Sequence, residues 1–270
     1  LRELEQAFGE TLFVRLPGKL VPTPRADSFF EALAPMRRAA GDALSVLQAK
    51  YGSVHGVVRV TVVPAYVNGV VPNILGELLN EQPELEIELS VSNRIENLVR
   101  RESDIAVRLK RPEQEALVAQ KVGETEMGLF AHERFIARFG EPRMSAIHLS
   151  GFLTGFDRET VDVVAAIRRP NAAPPPRFRF RSDSMMARQA VVESGAGVGM
   201  YFVDLAAAVP GLKRVLADEV ALRQEVWLCA HDELKRSARM RYVWDRLADA
   251  LSSRFHALSG MTSSGEHIQS

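Results

Sequence analysis

The chain has a single cysteine, Cys229, among 270 residues. One thiol excludes an intrachain disulfide and suits a reducing compartment. Excess charge of either sign is missing too: Lys plus Arg and Asp plus Glu both number 34. Bulk charge therefore nominates no anionic partner, although a local basic element is compatible with neutrality. No apolar run reaches membrane-spanning length, and the first residues are charged and helical rather than signal-like. These features predict a cytoplasmic protein that does not enter membranes.

Catalytic and metal signatures are equally scarce. The histidines stand at 55, 132, 148, 231, 256 and 267, with no HExxH and no Cys/His pairing, so no metal is expected. No serine sits in GxSxG, and no paired carboxylates stand out, so no hydrolase is expected. SGAGVG (Ser194 to Gly199) has the glycines of a dinucleotide loop. A true loop of that kind follows a strand and opens a helix, whereas this one follows a helix and precedes a strand. It reads as a turn, and no cofactor is expected.

The apolar fraction of 46% is ample for real cores, and the length suits two domains. The stretch from Val57 to Leu109 organises the rest. VVRVTVV (Val57 to Val63) is a β-branched run suited to a strand buried on both faces, and Pro64 ends it. Helical spacing follows at Val70, Ile74, Leu75, Leu78 and Leu79. LEIELSV (Leu85 to Val91) alternates as a strand, NRIENLVRRE returns to helical spacing, and DIAVRL (Asp104 to Leu109) is a third strand. Such alternation predicts a mostly parallel α/β sheet with ligands at the carboxyl ends of its strands.

The second half repeats this logic. ETEMGLFAH is a strand crossing into a second lobe. There the pattern gives a helix at 133–139, a strand at 151–156, a helical VDVVAAIRR and a loop at 170–176. RFRFRSDSMMARQAVVESGAGVGMYF then supplies strand, helix and strand. QEVWLCAH crosses back, and an amphipathic helix from Ala238 to Leu251 packs on the first lobe. The expected units are lobe I at 57–130 and 231–258, lobe II at 131–230, and a disordered polar tail at 259–270.

Ahead of the lobes, LRELEQAF is helical from its first residue and Gly9 stops it. TLFVRL is a short apolar run, PGK a turn, and Thr23-Pro24 an N-cap and first-turn pair. By itself this is also what a hairpin packed on the core would look like. The helix from Pro24 to about Lys50 places Phe29, Leu33, Met36, Ala40, Ala43 and Leu47 at spacings of four and three, a seam for a partner helix. Packing on its own domain is the alternative. Pro35 should kink this helix, and Gly52 to Gly56 should form a joint.

LRELEQAFGETLFVR followed by PGKLVPTPRADSFF resembles the LysR-type bacterial transcription regulators. In these, the end of a DNA-recognition helix is followed by a wing and a long linker helix. The match falls on Leu4, Glu5, Gly9, Leu12, Phe13, Arg15, Gly18, Thr23 and Pro24. It continues through ESDIAVRL, ESGAGVGM and HDELKRSARMRYVWDRLADAL to about Phe255. The resemblance implies two hinged α/β lobes of periplasmic-binding-protein type behind the end of a winged helix-turn-helix (1–23) and a dimerising linker helix (24–50). Most of the base-reading module would precede Leu1. Arg15, Lys19 and Arg25 would remain as phosphate contacts, so that this stretch alone should bind DNA weakly. The implied partners are DNA for the full-length protein, a small-molecule effector, and further copies in a dimer or tetramer. Rival expectations are a solute-binding protein and a cofactor-dependent enzyme on the same two-lobed fold.

Three segments set hydrogen-bonding groups where strands end and helices begin: Pro64-Ala65-Tyr66, Ser92-Asn93 and Ser182-Asp183-Ser184. Free N–H groups and the positive end of a helix dipole there suit a carboxylate. Each is equally an ordinary N-cap. Arg108, closing DIAVRL, could pair an effector carboxylate or join a surface salt bridge. By resemblance, effector contacts come from these same strand ends.

Overall fold

This computed structural model describes residues 1–30, 32–33, 36, 39–40, 54–92, 98, 103–114, 117–143, 152–157, 177–232 and 237–264. At the front, α1 (Arg2–Phe8) ends on Gly9, whose φ of 66° is the left-handed cap that glycine adopts without strain. A two-stranded antiparallel hairpin follows, β1 (Phe13–Leu16) and β2 (Lys19–Pro22), turning through Pro17 and Gly18. The turn signal thus closes a hairpin whose second strand is too short and mixed to stand out in sequence. α2 begins at residue 24. Thr23 caps it: its Oγ1 accepts the Ala26 N–H at 3.2 Å.

The remaining strands form one nine-stranded sheet in the order β4-β3-β5-β11-β6-β9-β7-β8, with β10 added beside β6. β3 (Gly56–Val62) lies parallel to both β4 (Leu85–Val91) and β5 (Ile105–Arg108), with α3 (Val71–Glu81) in the first crossover. Val58, Val60 and Val62 are completely buried, each worth about 1.5–3 kcal/mol by transfer from water. The helical reading of NRIENLVRRE lies outside the described residues except for Leu98, which is helical and buried.

β6 (Leu117–His132) and β11 (Ala221–His231) are the long antiparallel strands shared by the two halves. β11 pairs β5 through Trp227–Ala230, whereas β6 pairs β9 (Val198–Phe202) through Met127–Ala131. The handover sits at a register shift where Val226 faces Gly123 and Trp227 faces Lys121. The lobes therefore merge inside these strands, upstream of the expected boundary near residue 130 and upstream of residue 231 on the return. The physical reason is continuous hydrogen bonding, which lets one sheet serve two cores.

Lobe II adds α4 (Glu133–Phe139), β7 (Leu153–Gly155), β8 (Phe178–Arg181), α5 (Met185–Glu193), the short α6 (Val203–Ala206) and β10 (Leu212–Val215). β7 is parallel to β8 and β9. The VDVVAAIRR helix and the 170–176 loop lie outside the described residues. α7 runs Ala238–Ser264, longer than the expected Ala238–Leu251 and into the stretch read as a disordered tail. Once a helix is nucleated, each further residue adds a hydrogen bond at little cost, and no proline intervenes. Its inner face, Val243, Leu247, Leu251 and Phe255, completes the lobe I core with Tyr66, Leu75 and Leu78. No described helix is long and apolar enough to cross a membrane.

Candidate effector site

The parallel registers align three carboxyl ends on one rim of lobe I. Val62 faces Val91 on β4 and Val107 on β5, so Pro64, Ser92 and Arg108 follow side by side. The Ser92 N–H donates to the Val62 carbonyl at 3.0 Å, which fixes the exit of β4 against β3. Asn93 lies outside the described residues. Pro64–Tyr66 forms a 3-10 turn with proline at its start, and Ala65 and Tyr66 are buried. Tyr66 points inward, its ring 5.7 Å from Phe202 and 5.8 Å from Phe255. It is thus a core side chain, and of this segment only Pro64 is part-exposed.

The corresponding rim of lobe II carries Ser182, Asp183 and Ser184 just after β8. The Ser182 N–H donates to the Gly155 carbonyl at 3.0 Å. Each side chain accepts a local backbone N–H: Ser182 Oγ from Ser184 at 3.1 Å, Asp183 Oδ1 from Asp157 at 3.0 Å, and Ser184 Oγ from Ala187 at 3.3 Å. All three stabilise the strand-to-helix corner, and Ser184 is the N-cap of α5. α5 in turn touches the Pro64–Tyr66 turn. Met185, its first residue, packs against the lobe I core. The helix that follows Ser182–Ser184 thus meets the Pro64–Tyr66 turn across the lobes.

Two guanidinium groups lie beneath these rims. Arg108 is 3% exposed and donates to the Thr61 carbonyl at 3.3 Å, the Thr61 hydroxyl at 3.2 Å and the Val107 carbonyl at 3.0 Å. It is not the surface salt bridge that was the alternative. Burial pushes its pKa down to about 10, partly offset by the neighbouring Cys229. Arg188, 8% exposed and missed in the sequence reading, lies one turn into α5. Its guanidinium stacks 3.7 Å from the centre of the Phe156 ring and donates to the Ser182 carbonyl. Stacking on an aromatic face is a favourable place for a desolvated guanidinium. An arginine four residues after a helix N-cap carries no sequence signal of its own; only the packing of Phe156 makes it part of the rim.

A second polar group unseen in sequence ties the lobes behind the turn. Thr125 Oγ1 on β6 donates to Asp204 Oδ1 at 3.0 Å, and Arg254 on α7 approaches Asp204 Oδ2 at 3.4 Å. The Tyr66 hydroxyl is buried in the same region. Burial, then the charge of Asp204, push its pKa above that of an ordinary phenol.

The SGAGVG glycines have packing roles. Gly195 turns the chain at φ 78° between α5 and β9. A Cβ at Gly197 would sit 2.9 Å from the Phe152 carbonyl, and one at Gly199 would sit 2.3 Å from Thr154 Oγ1.

At the N-terminal end, Arg15 and Lys19 are exposed on the hairpin, while Arg25 pairs with Glu10 at 3.0 Å. In the linker seam, Phe29 is half-buried with its ring 5.0 Å from Phe8. Leu33 and Met36 are 37% and 69% exposed, and Ala40 is exposed. Ala43 and Leu47 lie outside the described residues, as do Pro35 and the start of the Gly52–Gly56 joint.

Two α/β lobes on a shared sheet, exchanged through two long antiparallel strands, have the architecture of the periplasmic-binding-protein type. The model of the LysR substrate binding domain matches residues 52–252, and the chain belongs to this family. It is a LysR-type transcriptional regulator with an effector-binding domain. The Mau operon transcriptional activator of Paracoccus denitrificans is 24% identical over 92% of this chain and 84% of its own length. CrgA, a LysR-type transcriptional regulator from Neisseria meningitidis, superposes with a TM-score of 0.65 at 20% identity, covering 93% of this chain and 87% of that one. Full-length CbnR in complex with its target DNA superposes with a TM-score of 0.64 at 17% identity, covering 94% and 87%. At such identities the superpositions establish the fold.

Proposed function

We propose that this regulator senses a small anionic organic metabolite between its two lobes and converts binding into altered DNA contact. The observation that carries the reading is the meeting of α5 with the Pro64–Tyr66 turn. This brings the helix N-terminus of one lobe to the strand ends of the other. Arg108 and Arg188, buried in the two rims, supply positive potential in a poorly solvated setting, where it counts for more than in water. The hydroxyls of Ser92 and Ser182 and the side chain of Asn93 would orient a carboxylate, and Asp183 would hold the corner. A ligand that bridges the lobes stabilises whichever relative arrangement it fits, and so biases the oligomer.

On this reading the protein is not an enzyme and acts in the cytoplasm. Arg15 and Lys19 would touch phosphates; Arg25 would do so only on leaving Glu10. The exposed Leu33 and Met36 support a dimer through the linker helix.

The test is a thermal-shift screen of small mono- and dicarboxylates on the full chain, followed by calorimetry. Ser182→Ala with Asn93→Ala should weaken a hit about ten- to a thousandfold, given about 0.7–2 kcal/mol for each of two lost hydrogen bonds. Unchanged affinity in a folded double variant would put the site elsewhere.

A further inference from the structure

Asp204 and Arg254 face each other across the lobes without closing fully on each other. Asp204 lies in the first turn of α6 in lobe II, and Arg254 stands on the second half of α7, which completes lobe I. One carboxylate oxygen, Oδ1, accepts the Thr125 hydroxyl at 3.0 Å. The other lies 3.4 Å from a terminal nitrogen of Arg254, whereas a charge-assisted bond settles at about 2.7–2.9 Å. The Asp204 side chain is only 6% exposed, so water does little to make up the difference. Arg254 Nε is buried and has no hydrogen-bond partner among the described residues, a costly position for a donor. A guanidinium can give two parallel N–H groups to one carboxylate; here it gives one long contact. The pair is half engaged.

Aromatic packing ties this pair to the effector rim. Tyr66 ends the Pro64–Tyr66 turn, and its ring lies 5.7 Å from that of Phe202 and 5.8 Å from that of Phe255. Phe202 precedes Asp204 by two residues, and Phe255 directly follows Arg254. The fully buried Tyr66 ring is thus wedged between the two backbone segments that carry the pair. The Thr125 hydroxyl and the charges of Asp204 and Arg254 also act on its phenol. Close-packed rings do not yield by compression, so a displacement of the turn is passed to α6 or to α7. The first half of α7 is held on α3, where Glu81 accepts from Tyr242 at 2.5 Å and pairs with Arg246 at 2.6 Å. That anchor makes α6 and lobe II the side that moves.

We propose that Asp204 and Arg254 form a two-position latch between the lobes, half engaged in this structure and bidentate after a small relative rotation, with Tyr66 as the wedge through which the effector rim sets its position. The two arrangements differ by about one charge-assisted bond in a poorly solvated setting, a difference small enough for both to be populated. A ligand that displaces the Pro64–Tyr66 turn would select one of them without touching either charged residue. The latch itself involves no effector; only its part in sensing rests on the reading above.

The test needs neither effector nor operator. Full chains carrying Asp245→Cys in lobe I and Lys213→Cys in lobe II, both exposed positions, are spin-labelled and diluted into unlabelled chain. Cys229 is buried and takes no label. Double electron–electron resonance should give two separations between the labels. Asp204→Asn and Arg254→Gln, each nearly isosteric, should reduce the same one of these by about fivefold or more. Combining the two should change nothing further, because either alone already removes the pair. In Asp204→Asn, amide exchange should also accelerate at Tyr66 and Arg188, whose N–H groups donate to Val63 and Ser184 at the rim. Purely local damage would accelerate exchange near residues 204 and 254 alone, and that result would overturn the wedge. A single separation in the parent chain would overturn the latch, as would variants that keep both separations or lose different ones. A failed carboxylate screen leaves these distances as they are, so the latch and the effector site fail separately.

Discussion

The hydroxyl of Thr125 donates to the carboxylate of Asp204 across 3.0 Å, joining a strand shared by both lobes to the first turn of a lobe II helix. Asp204 is nearly buried, with a side chain 6% exposed, and Arg254 provides its countercharge from lobe I. A hydrogen bond to a charged acceptor is worth about 1.5–3 kcal/mol. Thr125→Val should therefore destabilise by about that amount in urea unfolding. Because the bond spans the lobes, the variant should also show a broader spread of interlobe distances in small-angle scattering. A stability unchanged within error would mean that Arg254 alone satisfies Asp204.

Gly123 marks the handover between the lobes, and its lack of a side chain is what lets α7 approach. A Cβ there would sit 2.3 Å from Phe255 Cβ, too near for either to remain in place. Gly123→Ala should cost about 1–3 kcal/mol by overpacking. Phe255→Ala alone should cost about 3–5 kcal/mol as a cavity. Gly123→Ala combined with Phe255→Gly should cost less than those two changes made singly, since glycine at 255 removes the clashing Cβ that alanine would keep. Additive losses would show that α7 shifts bodily to relieve the strain.

Glu5 links α1 to the hairpin by accepting the N–H groups of Leu12 at 2.9 Å and Phe13 at 3.0 Å. These bonds, the Phe13 one first, hold its pKa below 4.5. A lowered folded-state pKa stabilises above the unfolded value, and that contribution is lost as pH falls through the folded value. Amide exchange at Leu12 and Phe13 should therefore be slow above pH 4.5 and accelerate below it, beyond the intrinsic pH dependence. Glu5→Gln should abolish that acid transition. An identical profile in the variant would remove Glu5 from the hairpin's support.

Cys229 is fully buried beside Arg108, and burial pushes its thiol up to about 12, with Arg108 acting the other way. The native protein should resist thiol reagents at pH 8, and one thiol should react after unfolding. A raised folded pKa means that the folded state holds the proton longer than the unfolded one. This contribution to stability is intact below about 9 and is lost as pH rises from there towards about 12. Rapid labelling of the native protein would contradict the packing around Ala106 and Leu98.

Much of the fold was legible because β-branched runs and helical spacing coincide with burial. LEIELSV is β4 from end to end, and the helix at 133–139 is α4. β10 escaped notice because GLKRVL mixes charge with only one buried residue in its four-residue strand, Val215. α6 is four residues long, too short for any period to show. Of the candidate site, the strand ends themselves were legible. Strand ends followed by Ser, Asn and Asp marked both rims, but each of those residues also caps its own corner, as Ser184 does. Arg188, Thr125, Asp204 and Arg254 are brought to the interlobe region by tertiary packing, and local sequence holds no record of their proximity.

Lobe II is an insertion within lobe I: the chain leaves by β6 and returns by β11, and the lobe I core is finished only by α7. During synthesis this order has an asymmetric effect. β7, β8, β9 and β10 all emerge before β11, while Val58, Leu75 and Leu78 wait for Val243, Leu247 and Leu251 more than 160 residues later. The half that is translated first is thus the last to close. A nascent chain that has emerged through β11 but not yet through α7 would have the lobe I core still open, a natural substrate for chaperones.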